Sequence, residues 1–151
     1  MADISKAKAV RLHWDEEQCT GCTSCVVVCS ERHTGTSAPS RARLQVLVDP
    51  LSADRTARYC RQCDNALCAA ACPEEAILFD AALRAWIVLP ARCTACGACV
   101  EACRFGAMRL DPIDDLAIKC DLCLGAARCV EICPSGALSL RGVAREVEDE
   151  A

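Results

Sequence analysis

The chain carries sixteen cysteines, and they stand in four groups of four: Cys19, Cys22, Cys25, Cys29; Cys60, Cys63, Cys68, Cys72; Cys93, Cys96, Cys99, Cys103; and Cys120, Cys123, Cys129, Cys133. The first and third groups read C-x2-C-x2-C-x3-C, as CTGCTSCVVVC and CTACGACVEAC. The second reads C-x2-C-x4-C-x3-C-P and the fourth C-x2-C-x5-C-x3-C-P. The order tight, loose, tight, loose marks a duplicated half, running from 19 to 72 and again from 93 to 133. With 151 residues the chain is long enough for one compact domain or two very small ones. Only two Trp, one Tyr and two Phe are available, so a purely apolar core would be thin. Whatever occupies the thiols must supply part of the interior.

Cysteine at this density means either a secreted disulfide framework or a metal-binding protein of a reducing compartment. Residues 1–14, MADISKAKAVRLHW, alternate apolar and charged side chains, with no apolar stretch of signal-peptide length and no arginine pair. A cytoplasmic location is the expectation. The longest purely apolar run, 66–72, has seven residues, against the ~20 that a spanning helix needs, so no membrane span is expected. The formal charge is −4 and there is no basic block, which argues against nucleic acid as a partner. The sequence has no G-x-G-x-x-G, no Walker-type loop and no nucleophile–base arrangement, so the chain itself is expected not to be an enzyme.

The spacing points to iron and sulfur. A cuboidal four-iron, four-sulfide cluster needs a thiolate at each of four corners; C-x2-C-x2-C wraps three, and in the bacterial ferredoxin run the fourth cysteine serves the other cluster. Sixteen cysteines supply four such clusters with none left over. Zinc is the competing reading, because C-x2-C pairs also make zinc knuckles. Zinc sites take ligands as two separated pairs, however, and only His13 and His33 could add imidazoles.

Local patterns agree with an α+β fold. The segments PEEAILF, RFGAMRL and PSGALSL after the second, third and fourth groups each read as a turn followed by a short strand. Residues 76–79 and 86–89 read as a hairpin around 80–85, and 44–48 as a β-rich run ended by Asp49 and Pro50. Helices are expected at 26–32 and 100–104, with Pro73 and Pro134 keeping those of the loose groups short. His13 and Trp14 read as packing residues on an entering strand, and Trp86 and Phe79 as core shielding the clusters. His33 reads as a surface-loop residue and Lys119 as solvated, the alternative for Lys119 being a charge that raises a cluster's potential or meets a partner. The tail 141–151 is charged and expected to fray.

The four groups in order, KCDLC at 119–123 and CPSGAL at 133–138 resemble a known family over residues 10–140. The family is that of the four-cluster, ferredoxin-like electron-transfer subunits of molybdenum and tungsten oxidoreductases, with relatives serving carbon monoxide dehydrogenases and hydrogenases. Residues 29–46, CSERHTGTSAPSRARLQV, also resemble the small subunit that accompanies tungsten-dependent aldehyde oxidoreductases. The resemblance implies a duplicated bacterial-ferredoxin-like fold, a single polyferredoxin domain over 1–151 made of two interleaved units. One unit joins the second and third groups, about 57–112; the other joins the first and fourth, about 10–50 plus 113–140.

It also implies ligand sets. Cys19, Cys22, Cys25 and Cys133 would hold one [4Fe-4S] cluster, and Cys120, Cys123, Cys129 and Cys29 its neighbour. Cys60, Cys63, Cys68 and Cys103 would hold the third, and Cys93, Cys96, Cys99 and Cys72 the fourth. The implied role is electron relay in an anaerobic hetero-oligomer, between a molybdenum- or tungsten-pterin subunit and a flavin/NAD-linked subunit or a ferredoxin. A carrier for carbon monoxide dehydrogenase or hydrogenase, or a free polyferredoxin, is the alternative. The first and third groups depart from the pattern in having Ser30 and Arg104 in place of proline after the last cysteine. Each cubane with its thiolates adds −2, so four clusters would carry the chain from −4 to about −12 and favour a positively charged partner surface.

Overall fold

The structure, a computed structural model, describes residues 9–142. Most of the tail 141–151 therefore lies outside the described residues. The described residues form eight short strands and four α-helices. In order they are β1 (Arg11–Trp14), α1 (Ser24–Thr34), β2 (Gln45–Val48), β3 (Arg55–Arg58), α2 (Leu67–Ala71), β4 (Ile77–Asp80), β5 (Ala85–Val88), α3 (Ala98–Ala102), β6 (Arg109–Leu110), β7 (Ala117–Ile118), α4 (Arg128–Ile132) and β8 (Leu138–Arg141). The strands pair into four two-stranded antiparallel ribbons, β1–β8, β2–β3, β4–β5 and β6–β7.

The first strand pairs with the last, with Leu12 opposite Leu140 and Trp14 opposite Leu138. Alternation turns Leu12 and Leu138 into the interior. Helix α1 packs on α4, and α2 on α3. The apolar interior is correspondingly small and mixed with sulfur. One cluster of buried side chains joins Leu12, Val26, Leu44, Val46, Tyr59, Leu122 and Leu138 to Cys25, Cys29, Cys120 and Cys129. A second joins Ile77, Met108 and Ala117 to Cys99.

Helix lengths follow from what comes after the last cysteine of each group. Proline at 73 and 134 biases the preceding residue to an extended conformation, and Cys72 and Cys133 take ψ of 114° and 111° as α2 and α4 end after five residues. After Cys29 comes Ser30, and α1 runs on for eleven residues until Gly35 at φ 75° stops it. The fully buried Ser30 hydroxyl donates to the Val27 carbonyl at 2.8 Å and accepts the Ala38 amide at 3.0 Å, so the same residue that permits the longer helix also ties down the loop behind it. Helix α3 is as short as its proline-ended counterparts although Arg104 follows it: Cys103 is already extended, at ψ 111°. The missing proline therefore matters after Cys29 and not after Cys103.

The hairpin expected around residues 80–85 is β4–β5, with Phe79 opposite Trp86 and the two rings edge-on at 5.5 Å. The 30 residues between the first two groups hold a second hairpin, β2–β3, of which only the first strand was expected. Its partner, RTAR, alternates half-buried and exposed residues but carries one apolar side chain, so periodicity gives it no voice. Arg41 anchors this insertion to the second half, its Nε donating to both carboxylate oxygens of the buried Asp111 at 3.1 and 2.9 Å. Arg109 reaches back, donating to the carbonyls of Ser40 and Ala42.

Tyr59 sits where these pieces meet. It is 2% exposed, its hydroxyl accepts the Trp14 amide at 3.3 Å and the Arg61 guanidinium at 2.8 Å, and Arg61 lies over its ring. Tyr59→Ala is expected to cost about 3–5 kcal/mol, as removal of a buried aromatic does, and Tyr59→Phe about 1 kcal/mol. Anaerobic denaturant unfolding followed by circular dichroism checks both; equal losses for the two variants would mean that the hydroxyl, not the ring, carries the contact.

Candidate metal centres

Four cavities in the structure are each lined by four cysteines, and between them they take all sixteen. Cys19, Cys22, Cys25 and Cys133 line the first, with Trp14, Val46 and Leu138. Cys29, Cys120, Cys123 and Cys129 line the second, with Leu12, Leu44 and Leu122. Cys60, Cys63, Cys68 and Cys103 line the third, with Trp86, Met108 and Lys119. Cys72, Cys93, Cys96 and Cys99 line the fourth, with Ile77, Val88 and Leu110. The first three cysteines of each group share a cavity and the last one crosses to another.

Helix geometry explains the crossing. The third and fourth cysteines of every group are four residues apart, both within α1 for Cys25 and Cys29, and with the second at the helix C-cap for Cys68 and Cys72, Cys99 and Cys103, and Cys129 and Cys133. Residues at i and i+4 lie on one face, displaced by about 6 Å along the axis. Each helix therefore points one thiol into its own cavity and the next into the neighbouring one. Because α1 packs on α4 and α2 on α3, the exchange is reciprocal.

The loops that gather the first three thiols need left-handed backbone. Gly21 (φ 73°) and Thr23 (φ 61°) bracket Cys22, and Ala95 (φ 58°) and Gly97 (φ 79°) bracket Cys96. A Cβ on Gly21 would also stand 3.0 Å from Cγ2 of Val48. The loose fourth group instead makes a left-handed turn at Leu122, Cys123 and Leu124, held by the Asp121 carboxylate, which accepts the Cys123 amide at 2.9 Å.

The chemistry of the donors fits clusters rather than free thiols. Burial pushes the Cys25 thiol up to about 11 and Cys129 up to about 12, and it raises Cys120 as well. Thiolates packed this closely, away from water, need a cationic core among them. Backbone amides already point at the sulfurs: Arg43 donates to Cys29 at 3.2 Å, Gln62 to Cys60 at 3.4 Å, Ala76 to Cys72 at 3.3 Å and Ala117 to Cys93 at 3.4 Å. Such amides stabilise ligating thiolates and tune a cluster's potential. Trp14, which lines the first cavity, has a buried indole N–H with no acceptor among the described residues. A sulfur-rich occupant would supply one.

The cavities differ in how they meet solvent. All four cysteines of the second are buried, whereas Cys22 of the first and Cys96 of the fourth are exposed. The Ser24 hydroxyl and amide, near Cys22, hold that thiol below its usual range. The third cavity, about 410 Å³, opens past Arg11, Arg61, Asp64 and Phe105, while the others are 20 Å³ or smaller.

Two expectations are corrected. His33 is not a loop residue: it lies on α1 with Nε2 3.9 Å from Cys123 Sγ and 3.6 Å from Asp121, and burial with the nearby Arg43 pulls its pKa down to about 4. A neutral imidazole there forms no ion pair with Asp121 near neutral pH. Instead Arg43 pairs with Asp121, at 2.9 Å. Lys119 is not solvated but 2% exposed, its Nζ 3.6 Å from Cys60 Sγ. Gln62, fully buried, escaped the sequence reading: it donates to the Cys120 carbonyl at 3.0 Å and accepts the Trp86 amide at 2.6 Å. Its only sequence signal was its place between Cys60 and Cys63.

A scaffold of short helices and ribbons folded around sets of four cysteines defines a ferredoxin-like iron–sulfur protein. The family model described as "4Fe-4S dicluster domain" matches residues 51–143, and one described as "4Fe-4S binding domain" matches residues 11–34. The chain belongs to the 4Fe-4S dicluster family. It is 37% identical over 119 residues to the aliphatic sulfonate oxidoreductase, polyferredoxin-like subunit, of Pyrococcus furiosus, covering 78% of this chain and 67% of that protein. It is 33% identical over 129 residues to the NADH-dependent phenylglyoxylate dehydrogenase subunit beta of Aromatoleum evansii, which covers 83% of this chain but only 28% of that longer protein. Among solved structures it is similar to a chain of the active site complex BamBC of benzoyl coenzyme A reductase in complex with benzoyl-CoA. The TM-score is 0.51 at 25% identity, covering 94% of this chain and 86% of that one. Among the described residues no helix is long and apolar enough to cross a membrane.

Exposure orders the sites by accessibility. Under slow iron chelation of the loaded protein with an alkylating agent present, Cys22 and Cys96 are expected to be labelled before Cys120 and Cys129. Peptide mapping over time reads the order; simultaneous labelling of all sixteen would mean that the clusters leave in one global unfolding event.

Proposed function

We propose that the chain is the electron-transfer subunit of an oxidoreductase complex and relays electrons through four [4Fe-4S] clusters, one in each cavity. When bound, each cluster supplies one-electron storage near sulfur. The observation that carries the reading is the stepped placement of the thiols. Cys25–Cys29 and Cys129–Cys133 link the first and second cavities, and Cys68–Cys72 and Cys99–Cys103 link the third and fourth. Cys60 and Cys120, from the third and second, are bridged by Lys119, whose Nζ reaches Cys60 Sγ at 3.6 Å and the Cys120 carbonyl at 3.1 Å. The cavities thus form a row, first to fourth, and the exposed cysteines, Cys22 and Cys96, stand at its two ends.

In this reading the first and fourth cysteine groups form one ferredoxin-like unit and the second and third the other. The ribbon β1–β8 closes the first unit, and β4–β5 belongs to the second. Partners would dock at the end cavities: a tungsten- or molybdenum-pterin catalytic subunit at one, and a flavin/NAD-linked subunit or a ferredoxin at the other. An aldehyde oxidoreductase is the partner that the resemblance of residues 29–46 favours. The likenesses to an aliphatic sulfonate oxidoreductase subunit and to a chain of the benzoyl coenzyme A reductase complex support service to a larger catalytic assembly.

Anaerobic purification of a tagged chain from its native cell tests the partners: the reading expects a stoichiometric catalytic subunit containing tungsten or molybdenum. Recovery of the chain alone would favour a free carrier, and a nickel-containing partner would favour the hydrogenase or carbon monoxide dehydrogenase alternative. Paired substitutions test the ligand sets. Cys29→Ala and Cys123→Ala are each expected to lose about a quarter of the iron, and the double variant no more, whereas Cys29→Ala with Cys25→Ala loses about half. Equal losses for the two doubles would break the crossed assignment.

A further inference from the structure

Among the described residues four polar or charged side chains are buried: Ser30, Gln62, Asp111 and Lys119. Ser30 staples a loop, and Asp111 is neutralised by Arg41 at 2.9 Å. Lys119 is different. No ion pair among those found for the described residues joins it to a carboxylate. Its Nζ donates to the carbonyls of Trp86 and Cys120 and lies 3.6 Å from Cys60 Sγ. A buried ammonium left without an opposite charge is strongly unfavourable, and two carbonyls offer only partial charges. Among the described residues the full negative charges it can meet are thiolates: Cys60, whose Sγ it touches, and Cys68 in the third cavity, with Cys120 of the second also feeling its charge.

The geometry points to Lys119 as a positioning residue that holds the redox potential of the third site above the value the site would otherwise have. This rests on the reading that the cavities hold clusters. When one electron arrives from a neighbouring site, that site is oxidised by one unit as the third is reduced, and the third core passes from +2 to +1. With its four thiolates the assembly passes from −2 to −3. No bond forms or breaks; the step moves one electron between the two sites. The added negative charge falls beside an ammonium shut away from solvent, where attraction is little screened.

The effect is strongest at the third site, because Nζ meets the sulfur of Cys60, whereas at the second it meets the carbonyl of Cys120 and acts on that thiolate only through its charge. Gln62 holds the arrangement: its backbone N–H donates to Cys60 Sγ at 3.4 Å, and its side chain binds the Cys120 carbonyl and the amide of Trp86, whose carbonyl together with that of Cys120 meets the ammonium. The exposed basic groups by the same cavity, such as Arg11 paired with Asp64 at 2.8 Å, are open to solvent and add little.

The test is a potentiometric titration followed by electron paramagnetic resonance on the full chain purified anaerobically, wild type against Lys119→Met, Lys119→Gln and Lys119→Arg. In the two neutral variants one signal is expected to move to lower potential, its reduced-to-oxidised ratio at fixed potential falling at least about tenfold. The other three should move less, and Lys119→Arg should restore the signal. Iron content separates the possible failures. A neutral variant with wild-type iron and unmoved potentials overturns the proposal. Loss of the third site's iron in both neutral variants but not in Lys119→Arg assigns the lysine to folding and also overturns it. A wild-type chain without iron and sulfide would instead refute the cluster reading beneath it.

Discussion

Two thiols one helical turn apart on the same face set the design. Each of the four helices carries such a pair, in α2, α3 and α4 with the second cysteine at the C-cap, and because the turn advances about 6 Å, the two sulfurs serve neighbouring cavities. The helices need only be long enough to hold the step, and α2, α3 and α4 have five residues each. Helices so short have no stability of their own in water. They persist because their cysteines and small side chains are packed between cavities that the partner helix also lines. The four ribbons, each two strands wide, are equally unable to stand alone. The sulfur-lined cavities are the shared interior from which all of them take their order.

A row made this way divides naturally into two reciprocal pairs, and the contact between the pairs then becomes the distinctive place. Here it is polar. Lys119 and Gln62 meet the backbone carbonyl of Cys120 and the region around Cys60, and Trp86 donates its indole N–H to the Cys63 carbonyl at 3.0 Å. Buried polar groups are tolerated only when their partners are fixed, and the hydrogen bonds of this network go to backbone groups of the cysteine loops and of β5. The same network joins the halves mechanically, alongside Arg41 with Asp111.

Much of this was legible in the sequence, and for a physical reason: ligation demands residue type and spacing together, so the cysteine groups are read directly. The β4–β5 hairpin was visible because two apolar runs flank a polar turn. The length of α1 was not, since it depends on Ser30 replacing a proline and on Gly35 placed five residues later. Strand β3 was invisible because RTAR pairs with β2 through backbone bonds rather than through an apolar face. Which cysteine stands beside which came from resemblance rather than from spacing, since spacing names three members of each set and leaves the fourth open. The burial of Lys119, Gln62 and His33 is not legible in the sequence because it depends on contacts 58 to 90 residues away.

Fold and function alike depend on one cluster in each cavity. Anaerobic determination of iron and acid-labile sulfide in the purified chain tests this most directly. Four cubanes predict about 16 iron and about 16 sulfide per chain, with zinc absent. About eight of each would leave two cavities without clusters and break the row, and zinc in place of iron would contradict the account altogether.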